Sequence, residues 1–233
     1  MAANENRRRK KIEAQRAKRK DKQRAIARVE SSGMVVRITA ASHWPLVESR
    51  ISTGLNERGI ANAFISRRGP NGQVAGAIFL VDAYCLGVKD VAIFLGSETS
   101  WKKRIEQQQE RGMRLEDISP EALRKLVEGA VDYAGSFGIA PHRDWFHAAP
   151  ILGDIDASQC LTEFTYGLRG KPHFMSGPYD SPARIQQITN LLASHAGVGN
   201  FHVTVQLSGD VLDHDLIEPE EDDELAIAEM ELD

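Results

Sequence analysis

The chain has 233 residues, of which 42% are hydrophobic and 27% are charged, and its formal net charge is −4. This composition is ordinary for a globular protein, and the longest apolar runs, such as residues 74–81, are too short to span a membrane. The two cysteines, Cys85 and Cys160, form neither a CxxC pair nor the spacing of a zinc ribbon, so the sequence does not imply a disulfide scaffold.

Charge is segregated along the chain. Residues 1–28 contain 12 Lys or Arg and 3 acids, residues 210–233 contain 12 acids and no Lys or Arg, and the residues between contain 17 Lys or Arg and 18 acids. The sums of +9, −12 and −1 give the net charge of −4. Like-charge blocks of this length stay solvated and often serve as interaction tails. We therefore divide the chain into a basic arm (1–32), a single domain (33–209) and an acidic tail (210–233).

The first half of the domain predicts one strand, one helix and then three strands. Val47, Ile51 and Leu55 recur every fourth residue between Pro45 and Gly59, which is typical of a helix. Short turns separate the three later strands, and such turns favour an antiparallel meander. The predicted bounds are 34–38 for the first strand, 44–58 for the helix, and 60–67, 74–81 and 88–95 for the meander.

Helices and short strands alternate in the second half. Ser119 and Pro120 precede a single apolar stripe that ends at Gly138, which predicts a capped helix. Further helices are predicted over 98–111, 143–149 and 181–195, a hairpin of 161–168 with 173–175, and a last strand over 201–207. This order predicts an α+β fold, with a largely antiparallel mixed sheet packed by helices and with the charged arms outside the core.

The basic arm gives the strongest indication of function. Residues 7–28 contain no Gly or Pro and few apolar residues, so they have no stripe to pack on a core. Lys and Arg side chains neutralise phosphates and release counterions, which is how proteins bind nucleic acid without sequence preference. Our first hypothesis is a non-enzymatic accessory protein that binds RNA or a ribonucleoprotein through Arg7, Arg8, Arg9, Lys10, Lys11, Arg16, Lys18, Arg19, Lys20, Lys22, Arg24 and Arg28.

A second hypothesis is a divalent-metal-dependent hydrolase or nuclease. Asp82 follows the most apolar predicted strand, and Asp154 and Asp156 lie in a predicted loop where both carboxylates can face one cation. Hard cations such as Mg²⁺ or Mn²⁺ prefer oxygen ligands, and a bound metal can activate water. The simpler interpretation, which we favour, is that these aspartates cap local turns. The favoured hypothesis therefore needs no cofactor.

Three histidines are candidates to assist such a metal site. His142 and His147 lie five residues apart, which on a helix separates them by about 140° and argues against a shared metal-binding face. His173 follows a predicted turn, from which it could reach Asp154 or Asp156.

The remaining expectations concern partners and location. Leu225, Ile227, Met230 and Leu232 lie among the acids of the tail, a mixture that fits a segment that docks on a protein partner. A protein–protein interaction module is therefore a third hypothesis. The basic arm lacks the Trp, Phe and Leu of membrane-binding helices, so we expect no membrane partner. No apolar segment follows the basic N-terminus as it would in a secretory signal, and we expect a cytoplasmic protein.

Overall fold

The computed structural model describes residues 33–177 and 180–205. Within these residues it has an α+β fold with six α-helices and a five-stranded antiparallel sheet, which confirms the predicted fold class. The basic arm and the acidic tail lie outside the described residues. None of the helices in the described ranges is long and apolar enough for a membrane span.

The helices are residues 33–41 (α1), Leu55–Arg58 (α2), Glu98–Glu110 (α3), Pro120–Gly135 (α4), Trp145–Ala148 (α5) and Pro182–His195 (α6). The strands are Leu46–Ser52 (β1), Ile60–Arg68 (β2), Gln73–Asp82 (β3), Gly87–Ser97 (β4), Leu115–Asp117 (β5), His173–Met175 (β6) and His202–Thr204 (β7). Short 3₁₀ helices cover Pro70–Gly72, Ala149–Leu152 and Ala157–Gln159.

The main sheet has the strand order β4-β3-β2-β1-β5, and every neighbouring pair is antiparallel. β2, β3 and β4 follow one another through short turns, which confirms the predicted meander. The predicted sheet was mixed, but parallel pairing occurs only between β6 and β7, which form a separate two-stranded sheet within the described part of the chain.

β3 contributes side chains to cores on both faces of the sheet, because successive residues of a strand point to opposite faces. Phe79 and Val81 pack with α4 and α5 on one face, where the rings of Phe79 and Trp145 meet edge-on at 5.5 Å between centroids. Ile78 packs on the other face with the cluster around Trp101 of α3. A third cluster joins α6 to β6 and to the end of α4.

Three helices begin where capping signals stand in the sequence. The side chains of Ser97, Ser119 and Ser181 accept the backbone N–H of the residue three positions later, at the starts of α3, α4 and α6. Proline occupies the first turn of α4 and α6, where a missing N–H carries no cost. The predicted helices over 98–111, 181–195 and from Pro120 are confirmed, although α4 ends at Gly135 rather than Gly138.

The predictions for residues 34–38 and 44–58 were wrong. Residues 33–41 are helical. Ile38 and Ala41, three residues apart, are fully buried against the sheet, whereas Val36 is 68% exposed, and this spacing of buried residues is that of a helix rather than of a strand. Residues 46–52 form β1, which lies between β2 and β5, so pairing on both sides overrides the four-residue apolar spacing. Only α2 is helical within the rest of the predicted helix.

The predicted hairpin of 161–168 with 173–175 was also wrong, although its turn exists. Arg169 and Gly170 have φ values of 54° and 78°, and Leu168 and Lys171 exchange backbone hydrogen bonds across them. Residues 161–167 belong to no strand, and Leu161 is 95% exposed. β6 pairs instead with β7, which is shorter than the predicted strand 201–207; residues 206 and 207 lie outside the described ranges.

Candidate functional site

Asp82 stands at the end of β3 with 3% of its surface exposed. Its Oδ1 accepts the backbone N–H groups of Tyr84 and Cys85, each at 3.0 Å. Burial raises the pKa of Asp82 to about 6, against the lowering effects of these hydrogen bonds and of Lys89. Burial and the nearby Asp82 together raise the pKa of the Cys85 thiol to about 12. The Asp82 carboxylate therefore organises the tight β3–β4 turn, and the Cys85 thiol stays protonated at neutral pH.

Asp154 contacts a buried arginine, Arg67. Arg67, only 4% exposed, donates its Nε–H to the carbonyl of Ile151 at 2.8 Å and also bonds the carbonyls of Trp44 and Leu152. Its Nη2 contacts Asp154 Oδ1 at 3.3 Å, while 80% of the Asp154 side chain remains exposed. A hydrogen bond from its own backbone N–H and the charge of Arg67 lower the pKa of Asp154. Arg67 thus fastens the segment before Asp154 to β2.

Asp156 caps the 3₁₀ helix that follows it. Its Oδ1 accepts the backbone N–H of Ser158 at 3.0 Å and the Ser158 hydroxyl at 2.7 Å, and its Oδ2 accepts the amide of Gln159 at 3.1 Å. Hydrogen bonds from Ser158 and then Gln159 lower the pKa of Asp156. These contacts are those of the turn cap that the sequence favoured.

His142 and His147 both lie beside Asp144, which the sequence interpretation did not single out. The Nδ1 of His147 is 3.4 Å from Asp144 Oδ1, and the Nδ1 of His142 is 3.8 Å from Asp144 Oδ2. The Nε2 of His142 is 3.9 Å from Asp90 of β4. His142 precedes α5, so the helical angle of about 140° does not describe the pair. The arrangement places two histidines around one carboxylate at the surface.

His173 lies in β6, beside β7. Its Nε2 is 2.9 Å from the hydroxyl of Thr204, and its ring meets that of His202 edge-on at 5.9 Å between centroids. Burial and then the neighbouring His202 lower the pKa of His173. None of its contacts is with Asp154 or Asp156.

The candidate residues of the metal hypothesis do not assemble. Within residues 33–177 and 180–205, no group of three or more His, Cys, Asp or Glu side chains is placed to hold a metal ion. Asp82, Asp154 and Asp156 each bond to a different set of neighbours. Mg²⁺ or Mn²⁺ binding therefore has no preformed ligand set in the described part of the chain.

The twelve arm residues from Arg7 to Arg28 lie outside the described residues, but the domain carries a basic site that sequence reasoning missed. A cavity of about 460 Å³, here called the arginine pocket, lies where α2, the end of α3 and β2 meet. No Asp or Glu among the described residues lines it. Its polar lining consists of Ser52, Thr53, Arg58, Asn62, Arg111 and Arg114. The only indication of this site in the sequence was the proximity of Arg111 and Arg114.

A larger cavity of about 920 Å³ adjoins the arginine pocket and shares Arg58 and Arg114 with it. Three acids line this second cavity: Glu57, Glu116 and Glu163. Arg58 and Arg114 therefore lie between the two cavities, whereas Arg111 lines only the arginine pocket and the three acids line only the second cavity.

Comparison with known proteins gives no relative on which to base a function. No protein-family model, no curated protein sequence and no solved structure matches the chain.

Proposed function

We propose that this is a cytoplasmic, non-enzymatic accessory protein that binds RNA or a ribonucleoprotein through its basic arm. The observation that carries the proposal is the segregation of charge, with 12 Lys or Arg and 3 acids in residues 1–28 beside a nearly neutral domain. A uniform mixture of the same residues would have no such focus of positive charge. A dense basic segment attracts a polyanion and releases its counterions, so binding depends steeply on salt.

The contacts of the candidate acids support a non-enzymatic role. Asp82 and Asp156 accept local hydrogen bonds that organise turns, and Asp154 contacts the buried Arg67. A hydrolase of the kind considered above needs a metal and a water held together by convergent ligands. Asp82, Asp154 and Asp156 belong to separate local networks instead.

The cytoplasmic location is supported by the state of the cysteines. Cys85 and Cys160 are both buried and both free. Free thiols of this kind are usual in a reducing compartment, whereas secreted proteins commonly pair them.

The acidic tail gives the arm an internal competitor. Residues 210–233 carry 12 acids and no Lys or Arg, and the arm carries a net charge of +9. We propose that the tail weakens RNA binding at low salt, where charges are screened least, and that its apolar residues also make it a docking segment for a protein partner.

The test measures RNA affinity with the full chain. In the arm-neutral variant, the twelve arm residues named above are replaced by Gln. In the matched control, each arm Lys is exchanged for Arg and each arm Arg for Lys, which keeps the charge. Filter binding of a single-stranded RNA at about 50 mM salt should give a micromolar or tighter dissociation constant for the parent and the control, and a value weaker by about tenfold or more for the arm-neutral variant. Equal affinities of the parent and the arm-neutral variant would refute the proposal.

A further inference from the structure

Among the described residues, the three arginines of the arginine pocket have no partner of opposite charge. Several other arginines of the domain are paired: Arg50 bonds Asp117, Arg68 bonds Glu98, and Arg184 bonds Asp180. By contrast, the guanidinium groups of Arg58, Arg111 and Arg114 make no hydrogen bond or ion pair with any part of the chain that the structure describes. Like charges repel, so an anion bound in this cavity would lower the repulsion among the three guanidinium groups that surround it.

The fold holds Arg58 in place. α2 is bounded by Gly54 and Gly59, whose φ values of 108° and 69° favour glycine. The Tyr84 ring covers Gly59, and its hydroxyl donates to the carbonyl of Asn56 at 3.1 Å. The guanidinium of Arg58 lies over Gly54, with Nη2 2.6 Å from the position that a Cβ would take. Arg58 is therefore presented by a short turn that packing fixes at both ends.

The other two arginines come from the chain that leaves α3. Gly112, with a φ of 89°, reverses the chain after the helix, and its N–H donates to the carbonyl of Gln109 at 2.9 Å. The N–H of Thr53 donates to the carbonyl of Arg114 at 3.0 Å, which ties this loop to the turn before α2. This bond continues the pairing of β1 with β5, in which Ser52 lies opposite Leu115.

Neutral donors complete the site. The hydroxyl oxygen of Ser52 accepts the backbone N–H of Asn62 at 2.8 Å, so the Ser52 proton remains available to donate. Asn62, whose side chain also carries N–H donors, lines the same cavity. Guanidinium groups match the oxygens of phosphate through paired N–H donors, and hydroxyl and amide donors bond the remaining oxygens.

We infer that the arginine pocket binds a phosphate group. This deepens the proposed function and rests on it for the source of that phosphate, the backbone of the RNA that the arm attracts. The acids Glu57 and Glu116 of the adjoining cavity repel a polyanion, so the phosphate occupies the side that Arg111 lines, where no acid of the described residues lies.

The first experiment tests the pocket without RNA. Calorimetric titration of the full-length arm-neutral variant with inorganic pyrophosphate removes the arm as a competing binder. The pocket variant carries R58Q, R111Q and R114Q, and the matched control carries R37Q, K103Q and R143Q, three exposed residues that do not line the pocket. Both remove three positive charges, and thermal unfolding verifies that each remains folded. The pyrophosphate dissociation constant of the pocket variant should be at least about tenfold higher than that of the arm-neutral parent. The dissociation constant of the control should lie within about twofold of that parent. Equal weakening by the two variants would overturn the inference.

The second experiment asks whether RNA supplies the phosphate. The same two sets of substitutions are placed in the parent chain, and the RNA dissociation constant is measured as a function of salt. Loss of one phosphate contact should lower the slope of log affinity against log salt by about 0.7 for single-stranded RNA in the pocket variant and leave the slope of the control unchanged. A normal slope together with lost pyrophosphate binding would refute RNA as the source. Failure of the proposed function is a separate result, because it is seen as unchanged RNA affinity in the arm-neutral variant.

Discussion

The raised pKa of Asp82 predicts an unusual dependence of stability on pH. The ordinary pKa of 3.8 rises to about 6 in the folded protein because the carboxylate is buried. At a pH between 3.8 and about 6, Asp82 has lost its proton in the unfolded chain but retains it in the folded protein. Folding is then favoured by protonation, so the contribution of Asp82 to stability is fully present below pH 3.8 and is lost as pH rises through about 6. Each pKa unit corresponds to about 1.4 kcal/mol, which gives a loss of about 3 kcal/mol.

Asp82→Asn removes this titration and keeps an oxygen that accepts the N–H groups of Tyr84 and Cys85. The free energy of unfolding is measured by urea denaturation from about pH 4 to about pH 7. The difference between the variant and the parent should grow in favour of the variant by about 2.4 kcal/mol across that range, since part of the total change lies below pH 4. Asp154 and Asp156, whose pKa values are lowered, titrate in both proteins and cancel in the difference.

Asp132→Asn is the matched control, because Asp132 is exposed on α4. Its profile should run parallel to that of the parent. Parallel profiles for Asp82→Asn as well, or a difference that shrinks as pH rises, would refute the argument from burial.

Three further predictions concern the core and the loop aspartates. Leu126→Ala should lower the free energy of unfolding by about 2–5 kcal/mol because Leu126 is 1% exposed, whereas Leu161→Ala at a 95% exposed position should change it by less than about 0.5 kcal/mol. Arg67→Met should cost at least about 3 kcal/mol, since it strands three carbonyls, and Asp154→Asn less than about 1 kcal/mol; equal costs would contradict this. Asp156→Ala should cost on the order of 1 kcal/mol as a lost cap, and calorimetry with Mn²⁺ should give the same signal for the parent, Asp154→Asn and Asp156→Asn; Mn²⁺ binding that both Asn substitutions remove would favour the hydrolase hypothesis.

The elements predicted correctly are those with local signals. Serine caps mark the starts of α3, α4 and α6, and the meander follows from apolar runs separated by short turns. β1 was mistaken for a helix because its conformation depends on β2 and β5, which lie further along the chain. β5 has three residues and no local signature, and the ion pair of Arg50 with Asp117 is one of its ties to β1. A short stretch of sequence does not contain the distant residues with which such strands pair, so these strands could not be predicted from local patterns.

The same distinction applies to the candidate site. Asp156 bonds to residues two and three positions away, so its capping role could be inferred from the loop sequence. The arginine pocket could not, because Arg58 and Arg114 come together through a hydrogen bond from Thr53 and through the reversal at Gly112. Neither contact has a sequence pattern of its own.

The most direct test of RNA binding by this protein is to map where RNA touches the full chain. A single-stranded RNA that carries 4-thiouridine is crosslinked to the parent protein at low salt, and the modified peptides are identified by mass spectrometry. We predict crosslinks within residues 1–32 and within the peptides that carry Arg58 and Arg111–Arg114, and their loss as the salt concentration rises. Crosslinks confined to other surfaces of the domain, or none in the basic arm, would contradict the proposed function.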